Sequence, residues 1–111
     1  MEKKISQEES FKRLQELQIL EQNLQNIMLQ KQAFQLELNE TNLALEELKG
    51  PEKEVFKIIG QIMIKSSKEE IEKELKSKKE ILELRLKNIE KQESSLQNKA
   101  LSLRDEIMHK L

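Results

Sequence analysis

The residues that break helices sit together in this chain. Both glycines (Gly50, Gly60) and the only proline (Pro51) fall within residues 50–66, GPEKEVFKIIGQIMIKS, and neither type occurs elsewhere. Glycine and proline cost about 1 and 3 kcal/mol respectively in a helix interior. A chain that confines them to one stretch can therefore run as two long helices joined through that stretch. The stretch also holds the only valine, Val55, and crowds Phe56, Ile58, Ile59, Ile62, Met63 and Ile64 around Gly60. β-Branched and aromatic enrichment over so short a run predicts strands rather than helix. Gly60 stands where a two-residue type II′ turn takes glycine at its first central position, with Gln61 at the second. That turn pairs Ile59 with Ile62 and Ile58 with Met63. By the period of two, Ile59, Ile62 and Ile64 share one face and Phe56, Ile58 and Met63 the other. Both faces are apolar, so the pattern predicts a hairpin over 54–65 that joins a sheet completed by other chains, rather than a connector folded back on its own helices.

The flanking runs carry helical periodicity. Residues 6–48 read as one helix, opened by Ser6 and Glu9 at capping-box spacing. Leu17, Leu20, Leu24, Ile27, Lys31, Phe34, Leu38, Thr41, Leu45 and Leu48 follow steps of three and four, the spacing of a coiled-coil seam. Lys31 and Thr41 interrupt that seam, and polar residues at such positions commonly fix register or oligomer state. Regularly placed leucines interrupt the glutamines on its flanks (Gln15, Gln18, Gln22, Gln25, Gln30, Gln32, Gln35), which argues against an aggregating low-complexity tract. Lys49-Gly50-Pro51 ends the helix. Ser66 or Ser67 then offers an N-cap for a second helix over 67–110, with Glu69 and Glu70 favourably placed in its first turn. Its seam reads Leu75, Lys79, Leu82, Leu86, Ile89, Glu93, Leu96, Ala100, Leu103 and Ile107. Two helices of about 43–45 residues, each roughly 65 Å long, are matched in length and seam and predict one antiparallel coiled coil. The expected fold class is mainly α, a single domain over 1–111 with the hairpin at the turn end and both termini at the other.

Composition supports this reading and excludes others. A content of 36% hydrophobic and 37% charged residues, three phenylalanines and no Trp or Tyr suits long helices better than a wide globular core. Twenty basic against 21 acidic residues leave no bulk field to attract nucleic acid or anionic lipid. The absence of cysteine excludes disulfides and thiol chemistry. No apolar run reaches membrane-spanning length, and MEKKISQEES holds no secretory-leader core, so a cytoplasmic protein is expected.

The residues in and around the hairpin resemble those of a known family. VFKIIGQIMIKSSKEEIEKELK, residues 55–76, is similar to the prefoldin beta subunits, particularly archaeal ones. That family has an aromatic-Lys-x-aliphatic-Gly core, an apolar strand, a lysine, and then Thr or Ser entering the second helix. Phe56, Lys57, Gly60, Ile62, Ile64 and Lys65 stand at those positions. LQKQAFQLELNETNLALEEL (29–48) and LELRLKNIEKQE (82–93) resemble the helices on either side, and a single hairpin points to the beta rather than the alpha type. The resemblance implies an ATP-independent molecular chaperone, a holdase subunit of a hexamer of two alpha and four beta chains. In that family the hairpins build a double β-barrel platform. The coiled-coil tips hold unfolded proteins for transfer to a group II chaperonin.

The residues show no catalytic constellation, and no cofactor or metal site is expected. His109 is the only histidine, close to a helix end, with no cysteine or second histidine to complete a metal site. Glu70 and Glu74 lack the burial that would make them an acid–base pair, and Gly60 belongs to a turn rather than a phosphate loop. Lys76, Lys78 and Lys79 are balanced by Glu74 and Glu80, without aromatic residues for base stacking.

Two surfaces therefore carry the functional expectation. Val55, Phe56, Ile58, Ile59, Gly60, Ile62, Met63 and Ile64 form the oligomerisation hairpin. Ile5, Phe11 and Leu14 face Leu103, Ile107, Met108 and Leu111 at the free end as a client-binding tip, where methionine suits a surface that adapts to many partners. The alternative function is a passive coiled-coil tether or oligomerisation module. A plain rod, however, would replace residues 54–65 with a short polar turn.

Overall fold

The structure is a computed structural model that describes residues 7–51 and 54–109. Its elements run α1 (Gln7–Glu47), β1 (Glu54–Ile59), β2 (Ile62–Ser67) and α2 (Lys68–His109). The helices are 41 and 42 residues long. The expected capping residue Ser6 lies outside the described residues.

At the end of α1 the amide of Leu48 still bonds Ala44, but Lys49 and Gly50 bond Glu46 and Glu47 three residues back. The last turn thus tightens before Pro51, which cannot continue it. At the start of α2 the Ser67 hydroxyl accepts the Glu70 amide at 3.2 Å and is the N-cap. Strand β2 extends to Ser67, two residues beyond the predicted hairpin, because Ser66 and Ser67 pair through their backbones with Val55 and Glu54. A polar side chain does not prevent ladder pairing.

The chain divides into two compact units, residues 1–32 with 87–111 and residues 33–86. In the first, Arg13, Glu21 and Lys31 pair with Glu106, Arg104 and Glu93 at 3.0, 2.6 and 3.2 Å. Numbers rising on α1 meet numbers falling on α2, so the helices are antiparallel. In the second unit Glu37 pairs with Lys78 at 3.5 Å, and the Arg85 guanidinium lies 5.8 Å from the centre of the Phe34 ring, with the same sense.

Every predicted seam position on both helices is buried or half-buried. Leu82, Leu86, Ile89, Ala100 and Ile107 are buried on α2, while Thr41 is the only buried residue of α1. Three of the four polar seam residues, Thr41, Lys31 and Glu93, have partners, and the fourth, Lys79, is half-buried. The Thr41 hydroxyl donates to the Glu37 carbonyl at 2.8 Å, one turn back on its own helix. Lys31 and Glu93 occupy seam positions on opposite helices and meet each other. Sequence reading placed both in the seams without pairing them. Opposite charges in two seams that run antiparallel were the available signal.

Seam burial sets a stability expectation. Leu82→Ala should cost about 2–5 kcal/mol, whereas Leu101→Ala, at an exposed α2 position, should change stability by no more than about 0.5 kcal/mol. Denaturant unfolding followed by far-ultraviolet circular dichroism measures both.

Candidate functional site

The hairpin is built from its turn outward. Gly60 has φ +61°, and no other described residue has a positive φ. Positive φ at the first central residue and negative φ at Gln61 match the type II′ turn rather than type I′, which needs both positive. The register follows: Ile59 opposite Ile62, Ile58 opposite Met63, Lys57 opposite Ile64, Phe56 opposite Lys65. Ile59, Ile62 and Ile64 thus share a face with Val55 and Lys57, and Phe56, Ile58 and Met63 share the other with Lys65.

The two faces differ in what holds them. On the first, the Lys57 ammonium reaches Glu74 of α2 at 2.7 Å, and Val55 and Ser66 are half-buried. The Ser66 hydroxyl approaches Glu70 at 3.5 Å, and Lys68 donates to the Gly50 carbonyl at 2.5 Å, tying the start of α2 to the end of α1. On the second face, between the Lys65–Glu54 pair at 2.9 Å and the turn, only apolar side chains stand in the open. Phe56 is 58% exposed, Ile58 69% and Met63 64%. Ile59, Ile62 and Ile64 are exposed as well. Six large apolar side chains on a two-stranded sheet therefore stay about half exposed or more among the described residues.

The backbone is also unfinished. With two strands in the sheet, both are edges. In an antiparallel ladder around a two-residue turn, Ile59 and Ile62 exchange both hydrogen bonds. The N–H and C=O groups of Phe56, Ile58, Met63 and Lys65 point away from the partner strand. Exposed apolar edges of this kind template pairing with another strand.

The Prefoldin subunit family model matches residues 12–111. The chain belongs to the prefoldin subunit family. It is 38% identical over 96 residues to the prefoldin subunit beta of Saccharolobus islandicus strain L.S.2.15, a match that covers 85% of this chain and 76% of that one. It is 40% identical over 86 residues to the prefoldin subunit beta of Archaeoglobus fulgidus, covering 76% and 74%. The crystal structure of the prefoldin beta subunit from Thermococcus strain KS-1 superposes with a TM-score of 0.83 at 35% identity, covering 98% of this chain and 96% of that one. Prefoldins are chaperone subunits, not enzymes. The two helices and the intervening hairpin match the fold of that beta subunit.

The residues read as a prefoldin tip fall in the first unit and are unequally placed. Phe11, Leu14 and Met108 are exposed, Met108 at 75%. Leu103 is half-buried, and Ile107 is a covered seam residue, 8% exposed. Ile5 and Leu111 lie outside the described residues. Two ion pairs brace this part of the helices, Arg13–Glu106 and Glu21–Arg104, of which the first is a close approach without hydrogen-bond geometry. Among the described residues no helix is long and apolar enough to cross a membrane.

Gly60 offers a test of the turn that sets this surface. No atom would obstruct an added Cβ there, so the cost of Gly60→Ala is backbone strain alone, about 1–3 kcal/mol. Amide hydrogen exchange should lose protection at Ile59 and Ile62 and keep it in α1 and α2.

Proposed function

We propose that this chain is a beta-type subunit of an ATP-independent holdase chaperone, assembled through its hairpin and active through its helix ends. The observation that carries the reading is the hairpin's pair of uncovered apolar faces in a prefoldin family member. A monomer gains nothing from exposing Phe56, Ile58, Ile59, Ile62, Met63 and Ile64. Strand pairing with other subunits would cover both the side chains and the open edges, and closure into a barrel would leave no edge at all. The partners proposed are prefoldin alpha subunits and further beta subunits, two alpha and four beta in a hexamer. Unfolded proteins are the clients, a group II chaperonin the recipient, and the cytoplasm the location.

Client capture is assigned to the free helix ends. Phe11, Leu14 and Met108 are exposed and are proposed as contacts; Ile5 and Leu111, outside the described residues, are proposed with them from the sequence. Leu103 and Ile107 hold the helices together beneath them. A thioether and a phenyl ring on a surface of small area give weak, adaptable contacts. Several arms on one assembly convert weak contacts into avid capture. A coiled-coil tether, by contrast, would not protect an aggregating protein. Light scattering of a chemically denatured client, diluted into the assembled protein without nucleotide, distinguishes the two.

Two variants separate assembly from capture. Ile58→Asp combined with Ile62→Asp buries one charge on each hairpin face, so native mass measurement should find monomers or small species with helical content retained. Assembly at unchanged mass and stability would remove the barrel role. Deletion of residues 1–14 and 104–111 should leave the hexamer intact and abolish client protection. Undiminished protection would move capture to the walls of the coiled coils.

A further inference from the structure

The two seams are nearly blind to a slip of one heptad. Every seam position of α2 from Leu75 to Ile107 has a counterpart seven residues away in the same seam, and so has every position of α1 from Leu17 to Leu48. Sliding one helix past the other by seven residues therefore sets seam against seam again, displaced by about 10.5 Å. Apolar burial alone would change little. The connection between the elements does not forbid the slip either. Residues 48–53 join α1 to β1, and a stretch of that length, at about 3.3 Å per residue, is long enough to absorb the shift.

One contact distinguishes the two alignments. Among the described residues, Lys31–Glu93 is the ion pair whose members both occupy seam positions, 3.2 Å apart with side chains 35% and 17% exposed. A seven-residue slip would set Lys31 in the layer of Leu86 or Ala100, and Glu93 in the layer of Leu24 or Leu38. Each charge would then be half-buried against apolar side chains with no countercharge, a costly arrangement. The other polar seam residues do not discriminate in this way. Thr41 bonds its own helix and keeps that bond in any alignment. Lys79 has no ion-pair partner among the described residues. The pairs Arg13–Glu106, Glu21–Arg104 and Glu37–Lys78 also break on sliding, but their side chains, Arg13 excepted, are 44–52% exposed. Ion pairs so exposed contribute little, and Arg13 approaches Glu106 without hydrogen-bond geometry.

We propose that the Lys31–Glu93 pair is the register lock of the coiled coil, and that through it the exposed residues of the two helix ends are held at one level. The approach of Arg13 to Glu106 sets Phe11 and Leu14 of α1 beside the stretch of α2 that carries Met108. A slipped α2 would move Met108 about 10 Å along the axis, beyond Phe11 and Leu14 in one direction and short of them in the other. Either way the apolar patch at the tip is divided. A charged pair in a seam is no stronger than two leucines, so what it supplies is alignment rather than strength. The tip role rests on client capture at the helix ends; the lock itself does not.

Nitroxide labels on Gln18→Cys and Asn88→Cys, both exposed and offset along the axis, read the alignment, since the chain has no other cysteine. The labelled full-length chain is diluted into excess unlabelled chain and assembled with an alpha subunit, so that pulsed electron spin resonance reports distances within one chain. One distance is expected with the pair intact, and one in the charge-swapped variant Lys31→Glu with Glu93→Lys. Lys31→Leu with Glu93→Leu keeps the seams apolar and the helices folded but should add a second distance, shifted by about 10 Å. Lys31→Glu alone, which sets two carboxylates together, should add it too. A single unshifted distance in the double-leucine variant overturns the lock, and so do two distances in the charge-swapped one. Protection of a chemically denatured client is measured on the same assemblies, and the double-leucine variant should lose it in proportion to its shifted fraction. Shifted register with undiminished protection overturns the role at the tips and leaves the lock standing. Absence of protection in the unmodified chain overturns capture at the helix ends, while the distances still decide the lock.

Discussion

Each helix of this chain carries one apolar seam, and the partner helix is the only element available to cover it. The stability of a long helix in water comes chiefly from burying such a face rather than from helix propensity. Here the buried face is narrow, one seam per helix. Leu82, Leu86 and Ile89 therefore become core residues while their immediate neighbours Ile81 and Leu84 stay exposed. Once the seams are joined, no other described element remains to pack over β1 and β2. The uncovered hairpin is a direct consequence of committing both helices to each other.

That consequence explains why the hairpin and the coiled coil have different physical characters. The coiled coil pairs most of its own polar seam groups: the Thr41 hydroxyl bonds its own helix, and Lys31 finds Glu93 across the seam. A Lys–Glu pair in an apolar seam contributes little net stability, but any slip of one helix past the other would separate the charges and leave each half-buried alone. The hairpin is anchored at its root, through Lys57–Glu74 and Lys68–Gly50, and open beyond it. An open apolar sheet tied to the helices at its root suits the assembly role proposed for it, because less entropy remains to be lost when a partner docks.

Much of this was legible in the sequence because two short-range rules govern it. Confinement of Gly50, Pro51 and Gly60 to one stretch located the break, and the demand for positive φ at Gly60 set the strand register residue by residue. The seams followed from steps of three and four. Exposure at the helix ends was less legible: Ile107 and Met108 are adjacent and both apolar, yet one is covered and the other open, a difference of about 100° around the helix that a frayed heptad does not fix. The exposure of Leu36 and Leu43 was missed for a related reason. Seam periodicity identifies which residues face the partner helix and is silent on apolar residues that face away. Choosing between Ser66 and Ser67 as N-cap required coordinates, since either hydroxyl could cap and the answer depends on where the ladder with β1 ends.

The central claim is that the open strand edges are completed by other subunits, and residue-resolved amide hydrogen exchange addresses it most directly. The amides of Ile58 and Met63 point away from each other's strand, so within a single chain they have only water to bond. Exchange is compared between the assembled protein and the same protein diluted until it dissociates. The account predicts that Ile58 and Met63 exchange slowly in the assembly and fast after dissociation, while amides in the middle of α1 and α2 change little. Equally fast exchange at Ile58 and Met63 in both states, with assembly confirmed by native mass, would contradict it.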